Sequence, residues 1–216
     1  MLKRIMLALA FLGLSGLAQA LPTIYLPGQQ YKELDVPVAT SNPGKIEVRE
    51  FFFYGCPHCY HALPLVDAWK KTIAKDVDFE MTPVLFMRGA DVLARAFYVA
   101  KDKGILDKTH DALFNAIQGV EVNQPLYDED NVAKWFQTYG IAPEEYKKLA
   151  ASFGVEMQVN QAKALTRAAQ IQGVPAFLVD GRYLVLRNNL PNEEATFKVI
   201  DYLVDMVRSQ RAANAK

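Results

Sequence analysis

The chain has 216 residues, with 24 basic side chains set against 24 acidic ones, 51% hydrophobic residues and 22% charged residues, an ordinary globular mix. That balance excludes a disordered tail, a collagen-like fibre and a basic nucleic-acid binder, and two cysteines exclude a disulfide-dense miniature and a multi-cysteine zinc module. A chain of this length can bury a full core without covalent staples.

Met1 to Ala20 has a basic start at Lys3 and Arg4, an apolar stretch from Ile5 to Leu17 and a small-x-small ending, Ala18-Gln19-Ala20. This is the pattern of a secretory signal peptide, with cleavage expected after Ala20. At ~1.5 Å per residue the apolar stretch spans about 20 Å, short of the roughly 30 Å hydrocarbon core of a bilayer. Export places the mature chain in an oxidising compartment, and a bacterial periplasm suits the short signal.

Leu21 to Gly44 is rich in Pro and Gly and reads as an irregular lead-in, with a short edge strand within Tyr31 to Val38. Lys45 to Tyr54 (KIEVREFFFY) is β-branched and aromatic and predicts a buried strand. Gly55 breaks it, and Cys56-Pro57-His58-Cys59 follows. Leu63, Val66, Trp69 and Ile73 then recur at helical spacing, predicting a helix over Pro57 to Lys75 with Pro57 in its first turn. A second strand is expected within Asp76 to Phe86, ending near Pro83.

Helical patterns follow at Val92 to Lys103, Lys108 to Gln118, Asp128 to Thr138, Pro143 to Ser152 and Glu156 to Gln172, with Gly104, Gly119, Gly140 and Gly154 as expected helix ends. Ala176 to Val179 and Tyr183 to Leu186 flank Asp180-Gly181, a hairpin signal. A last amphipathic helix is expected from Glu193 to Arg208, and Ser209 to Lys216 as a frayed tail. The order is βαβ, then helices, then ββα.

Several roles compete for Cys56 and Cys59. As a staple the pair is poor, because closing a four-residue loop contributes only about 2 kcal/mol. Structural zinc needs four ligands, which His58, His61 or His110 would have to complete, and haem attachment needs a His where Tyr60 stands. A redox dithiol fits better. Cys56 at a helix N-terminus is stabilised as a thiolate by unpaired N–H groups and the helix dipole, with His58 adding a cation or hydrogen bond. Cys59, one turn in, is expected to be more buried and higher in pKa. His61 and His110 are read as ordinary exposed histidines.

The stretch EFFFYGCPHCYHALP, Glu50 to Pro64, resembles the thiol:disulfide interchange proteins of the DsbA family. GVPAFLVDGRY, Gly173 to Tyr183, is similar to the segment that carries the thioredoxin-fold cis-proline, here Pro175. The resemblance implies an α/β, thioredoxin-like fold (βαβ … ββα) over residues 21–86 and 173–216, with an inserted all-helical domain at 87–172. It implies a periplasmic, monomeric oxidase that uses no cofactor or metal beyond its Cys56–Cys59 disulfide. Such an enzyme donates disulfides to reduced exported polypeptides through a Cys56 mixed disulfide and is reoxidised by a quinone-linked membrane partner of the DsbB type. Val174 and Pro175 would offer backbone groups to substrate, and Glu50 resembles the family's buried acid, a proton relay to Cys59. The acid and lysine that some members carry nearby are replaced by Leu63 and Pro83, so an extended buried charge network is not expected.

A disulfide isomerase or reductase on the same fold is the nearest alternative, although too little chain precedes Cys56 for the dimerisation domain of DsbC-type isomerases. A non-enzymatic exported binding or assembly factor would not need both cysteines around Pro57-His58. If the folded Cys56 pKa is ~4.5 against ~8.5 unfolded, the reduced protein should be the more stable form at neutral pH by on the order of 1 kcal/mol.

Overall fold

The computed structural model describes residues 24–119 and 126–214. The expected signal segment lies outside the described residues. Among those described, no helix is long and apolar enough to cross a membrane.

Five strands form one mixed sheet in the order β1-β5-β4-β2-β3. They are β1 (Tyr31–Glu33), β2 (Ile46–Phe52), β3 (Val77–Pro83), β4 (Ala176–Val179) and β5 (Tyr183–Val185). β2 and β3 run parallel, with Glu50 level with Met81, and α1 (Pro57–Lys70) connects them. β4 pairs antiparallel with β2, placing Phe177 opposite Glu50, and β5 and β1 extend the sheet antiparallel.

β2 is paired on both edges and buried along its whole length, so its apolar positions, Ile46, Val48, Phe51 and Phe52, are β-branched or aromatic and its charged positions need partners or neutralisation. Its two charged residues on one face neutralise each other. Arg49 Nε donates to Glu47 Oε1 and Arg49 Nη2 to Glu47 Oε2, both at 2.8 Å. Arg49 also reaches Thr82 Oγ1 at 2.8 Å and Ser41 Oγ at 2.7 Å. Buried charges persist where they are paired and their remaining donors are satisfied.

The two sheet faces carry separate cores. On one face Ile46, Val48, Phe177 and Val179 meet α1 and α7 (Glu194–Asn214) through Val66, Trp69, Ile200 and Leu203. The other face, through Phe51 and Leu178, meets the helices that interrupt the sheet. These are α2 (Ala90–Asp102), α3 (Leu106–Gln118), α4 (Glu129–Gln137), α5 (Pro143–Ala150) and α6 (Phe153–Ala168). α2 is buried at Leu93, Ala94, Ala96, Phe97, Val99 and Ala100, so it is apolar nearly all round and sits at the centre of this layer.

The β4–β5 turn has both Asp180 (φ 52°) and Gly181 (φ 64°) in the left-handed region, as a tight hairpin turn requires. A Cβ on Gly181 would lie 1.9 Å from the Val38 carbonyl oxygen, so the lead-in chain packs directly against this glycine.

Four expectations differ from the structure. α1 ends at Lys70, not Lys75, because Thr72 N and Oγ1 both donate to the Trp69 carbonyl, at 2.8 and 2.7 Å, and close the turn. Gly154 lies inside α6 rather than ending a helix, since Ser152 caps that helix by accepting from Val155 N at 3.3 Å. The tail expected to fray is helical through Asn214, where Arg211 donates to the Pro43 and Lys45 carbonyls and to Asp180 Oδ1 at 2.6 Å. His110 is buried, not exposed. It falls on the apolar face of α3 with Leu113 and Phe114, a spacing the sequence already displays.

Candidate active site

Cys56 is the N-cap of α1, with extended backbone (φ −92°, ψ 115°) and no side-chain hydrogen bond to the helix N–H groups. Those groups are left to act on its sulfur. Cys56 is 9% exposed and Cys59, inside the helix, 1% exposed, and both stand as free thiols. The Cys56 pKa is lowered to about 6, first by the hydrogen bond from the Cys59 thiol, then by the backbone N–H groups of Cys59 and His58 and the His58 charge, with burial opposing. The Cys59 thiol is pushed strongly upward, by burial first and then by Cys56, with Glu50 adding to it. One sulfur is therefore a nucleophile and a good leaving group near neutrality, and the other holds its proton. His58 is exposed at the rim, and His61 is exposed further along the helix.

The Val174–Pro175 peptide bond is cis. It brings the Val174 carbonyl oxygen to Cys56 Sγ, which donates to it at 3.5 Å, although the two residues are far apart in sequence. Pro175 is buried and Val174 partly exposed, so backbone beside the sulfur faces outward. A groove of about 440 Å³ runs away from this segment, past Gln172, Ala176, Leu184 and Arg187.

Glu50 alternates with Ile46 and Val48 along β2 and shares their sheet face, toward α1. It is 3% exposed, and burial raises its pKa to about 8 against the opposing pull of Lys70 and Arg187, with Asp67 reinforcing burial. Near neutral pH it is mostly a protonated acid close enough to the cysteine pair to act on Cys59. Leu63 is partly buried in the aromatic core, and Pro83 pairs with Phe52 at the end of β3. The charges that act on Glu50 come instead from Lys70, Asp67 and Arg187.

Two contributors were missed in the sequence. Tyr54 and His110 form a buried pair, Tyr54 hydroxyl to His110 Nδ1 at 2.9 Å, and Gln118 Nε2 donates to the Tyr54 carbonyl at 3.0 Å. Together they tie the loop before Cys56 to α3. Burial, and secondarily Lys70, pushes His110 down to about 3, so it is a neutral hydrogen-bond partner. Arg187 opens a short 3-10 turn, Arg187–Asn189, and Nη1 donates to the Pro175 carbonyl at 3.0 Å. Nothing in its local sequence marks it, because its partner is fixed only by the fold. Among the described residues no cluster of three or more His, Cys, Asp or Glu could hold a metal.

A family model described as a DSBA-like thioredoxin domain matches residues 47–194. The chain is 37% identical to the thiol:disulfide interchange protein DsbA of Azotobacter vinelandii over 182 residues, covering 84% of each. It is 35% identical to that of Pseudomonas aeruginosa over 201 residues, covering 93% of this chain and 94% of the relative. Among solved structures, Pseudomonas aeruginosa DsbA superposes with a TM-score of 0.79 at 35% identity, covering 89% of this chain and 97% of the other. The oxidoreductase DsbA from Xylella fastidiosa gives 0.81 at 32% identity, covering 87% and 100%.

Proposed function

The chain belongs to the family of DSBA-like thioredoxin domains, and on that premise we propose that Cys56 and Cys59 donate a disulfide to newly translocated polypeptides, with Cys56 as the attacked sulfur. The protein is a disulfide oxidoreductase with a thioredoxin-like fold and a helical insertion, working through its cysteine pair without a cofactor. The reading is carried by one observation: the low-pKa Cys56 thiol at the start of α1 lies against the carbonyl before a cis-proline.

A substrate thiolate attacks Cys56 Sγ of the oxidised pair, and the Cys56–Cys59 bond breaks as the mixed disulfide forms. The electron pair leaves on Cys59, whose raised pKa demands a proton, and protonated Glu50 is the donor at hand. A second substrate thiolate then attacks the substrate sulfur of the mixed disulfide and expels Cys56 as a thiolate, the better leaving group of the two. Two electrons move from the substrate dithiol to the enzyme, while the substrate thiols lose their protons to solvent. Cys59 takes one proton from Glu50, Cys56 is left as the thiolate, and Glu50 is reprotonated from solvent. The exposed His58 charge favours the Cys56 thiolate, and the Val174 backbone gives an extended substrate chain a partner beside the sulfur.

Residues 1–20 would export the chain to the periplasm and be removed after Ala20, with 21–86 and 173–216 forming the redox domain and 87–172 the insertion. The mature protein would act as a monomer and return its electrons to a quinone-linked membrane oxidase of the DsbB type. Incubation with an unfolded protein whose single cysteine is pre-activated as a mixed disulfide with glutathione, which leaves as the displaced thiol, tests the roles. Cys59→Ala should accumulate a mixed disulfide and Cys56→Ala should form none; equal trapping by both would reject the assignment.

A further inference from the structure

Arg187 joins parts of the site that the cysteine motif does not connect. Its guanidinium spans two partners, Nη1 donating to the Pro175 carbonyl at 3.0 Å and Nη2 to Glu193 Oε1 at 3.3 Å. The Arg187 side chain is only 21% exposed, so both contacts are largely shielded from water. One peptide further along, the Val174 carbonyl meets Cys56 Sγ at 3.5 Å. From the other direction, Arg187 and Lys70 are the two cations that act on Glu50. The charged and titratable groups that act on that carboxyl, or on which it acts, are Lys70, Asp67 and Cys59 of α1 and Arg187 of the 3-10 turn, while the flanking strand partners Met81 and Phe177 are uncharged.

We propose that Arg187 is a positioning residue for disulfide exchange: its fork holds the Pro175 carbonyl, and with it the Val174 backbone beside Cys56. The proposal rests on the exchange chemistry described above and adds a residue to it. The planar guanidinium supplies separate donors to Pro175 and Glu193 at once, which an ammonium on a flexible stem does not reproduce. Its charge opposes the effect of burial on Glu50. A carboxyl held too strongly protonated would be slow to give its proton to the departing Cys59 sulfur, and one too acidic would have none to give. Arg187 thus links substrate placement to proton supply through one side chain.

Two consequences separate the two contacts. Losing the charge should move the alkaline limb of the exchange rate to higher pH, because Glu50 then keeps its proton longer. Losing the fork but not the charge should weaken binding of the substrate chain and leave the limb in place.

The test uses the oxidised full-length protein and a synthetic reduced peptide with two cysteines, following thiol loss from pH 5.5 to 9.5. Arg187→Met should shift the alkaline limb upward by about 0.5–1 pH unit and raise KM by roughly 3–10-fold. Arg187→Lys should raise KM with a near wild-type limb. Glu193→Gln, which leaves the Arg187 charge without its carboxylate partner, should move the limb downward and keeps the test open if Arg187→Met fails to fold. In a Glu50→Gln background Arg187→Met should cause no limb shift, as expected if the two residues act through one titration. Unchanged limbs and KM in the Arg187 variants, with wild-type protein active, would overturn the role of Arg187 alone. Failure of the wild-type protein to oxidise the peptide would overturn the exchange reading itself.

Discussion

Glu50 costs the fold stability in order to be useful. Its folded pKa of about 8 lies above the ordinary 4.5, so the folded state holds a proton that the unfolded chain releases. For an acid shifted upward, stability falls as pH rises from 4.5 toward 8 and is constant outside that window. At pH 7 the penalty is on the order of 3 kcal/mol by linkage. Glu50→Gln should therefore melt higher than the wild type at pH 7, with the two curves converging near pH 4, while mixed-disulfide formation with substrate slows. Equal melting temperatures at both pH values would show that the carboxyl is not held protonated. His110 follows the same logic with the opposite sign: a buried neutral imidazole with a pKa of about 3 must charge on unfolding below pH ~6.5, which weakens the fold as acid is added.

Among the elements, α7 carries a connection that residue composition conceals. Its last turns look polar enough to fray, yet Arg211 reaches the Pro43 and Lys45 carbonyls just before β2 and Asp180 of the hairpin turn. Arg211→Ala should lower stability by about 0.5–1.5 kcal/mol, and hydrogen exchange in residues 209–214 should accelerate more than in the first turns of α7. Uniform protection along the helix would mean that Arg211 does not anchor its end. β2, α1, β3 and the β4–β5 hairpin were legible because each carries a local signal: a β-branched run, Pro57 at a helix start, Asp180-Gly181 at a tight turn. So was the cysteine pair, whose spacing and strand–glycine–helix setting are contiguous. Tyr54 with His110 and Arg187 with Pro175 are partnerships set by packing between separate elements, and the local sequence shows only half of each. His110 is the exception, for its helical phase with Leu113 and Phe114 was there to be read.

At the scale of the molecule, the redox state and the fold set each other's stability. The Cys56 thiol sits at about 6 against an ordinary 9.0, a smaller depression than the ~4.5 expected from a helix N-terminus alone, because burial opposes the hydrogen bonds. A depressed folded pKa gives stabilisation that is full above 9 and fades as pH falls through 6. At pH 7 this favours the reduced form by about 1 kcal/mol after allowance for solvent screening at the rim of the site. The closed four-residue loop favours the oxidised form by about 2 kcal/mol. The expectation that the reduced form leads at neutral pH is therefore replaced by a crossover near pH ~8. Thermal melts of both forms from pH 6 to 9 should show the oxidised protein ahead at the acid end and the gap closing steadily toward alkaline pH. A gap independent of pH would remove the thiolate at Cys56 as a contributor.

The strand order also dictates a sequence of events in time. β4 lies between β2 and β5, but residues 84–175 are made after β3 and before it. Until that later segment arrives, β2 has one apolar edge unpaired. The Val174 carbonyl that meets Cys56 arrives in the same late segment. Until then the emerging polypeptide displays two thiols on a half-built sheet, chemically a client rather than a catalyst. Its cysteine pair gains the Val174 carbonyl beside Cys56 only when the final hairpin docks.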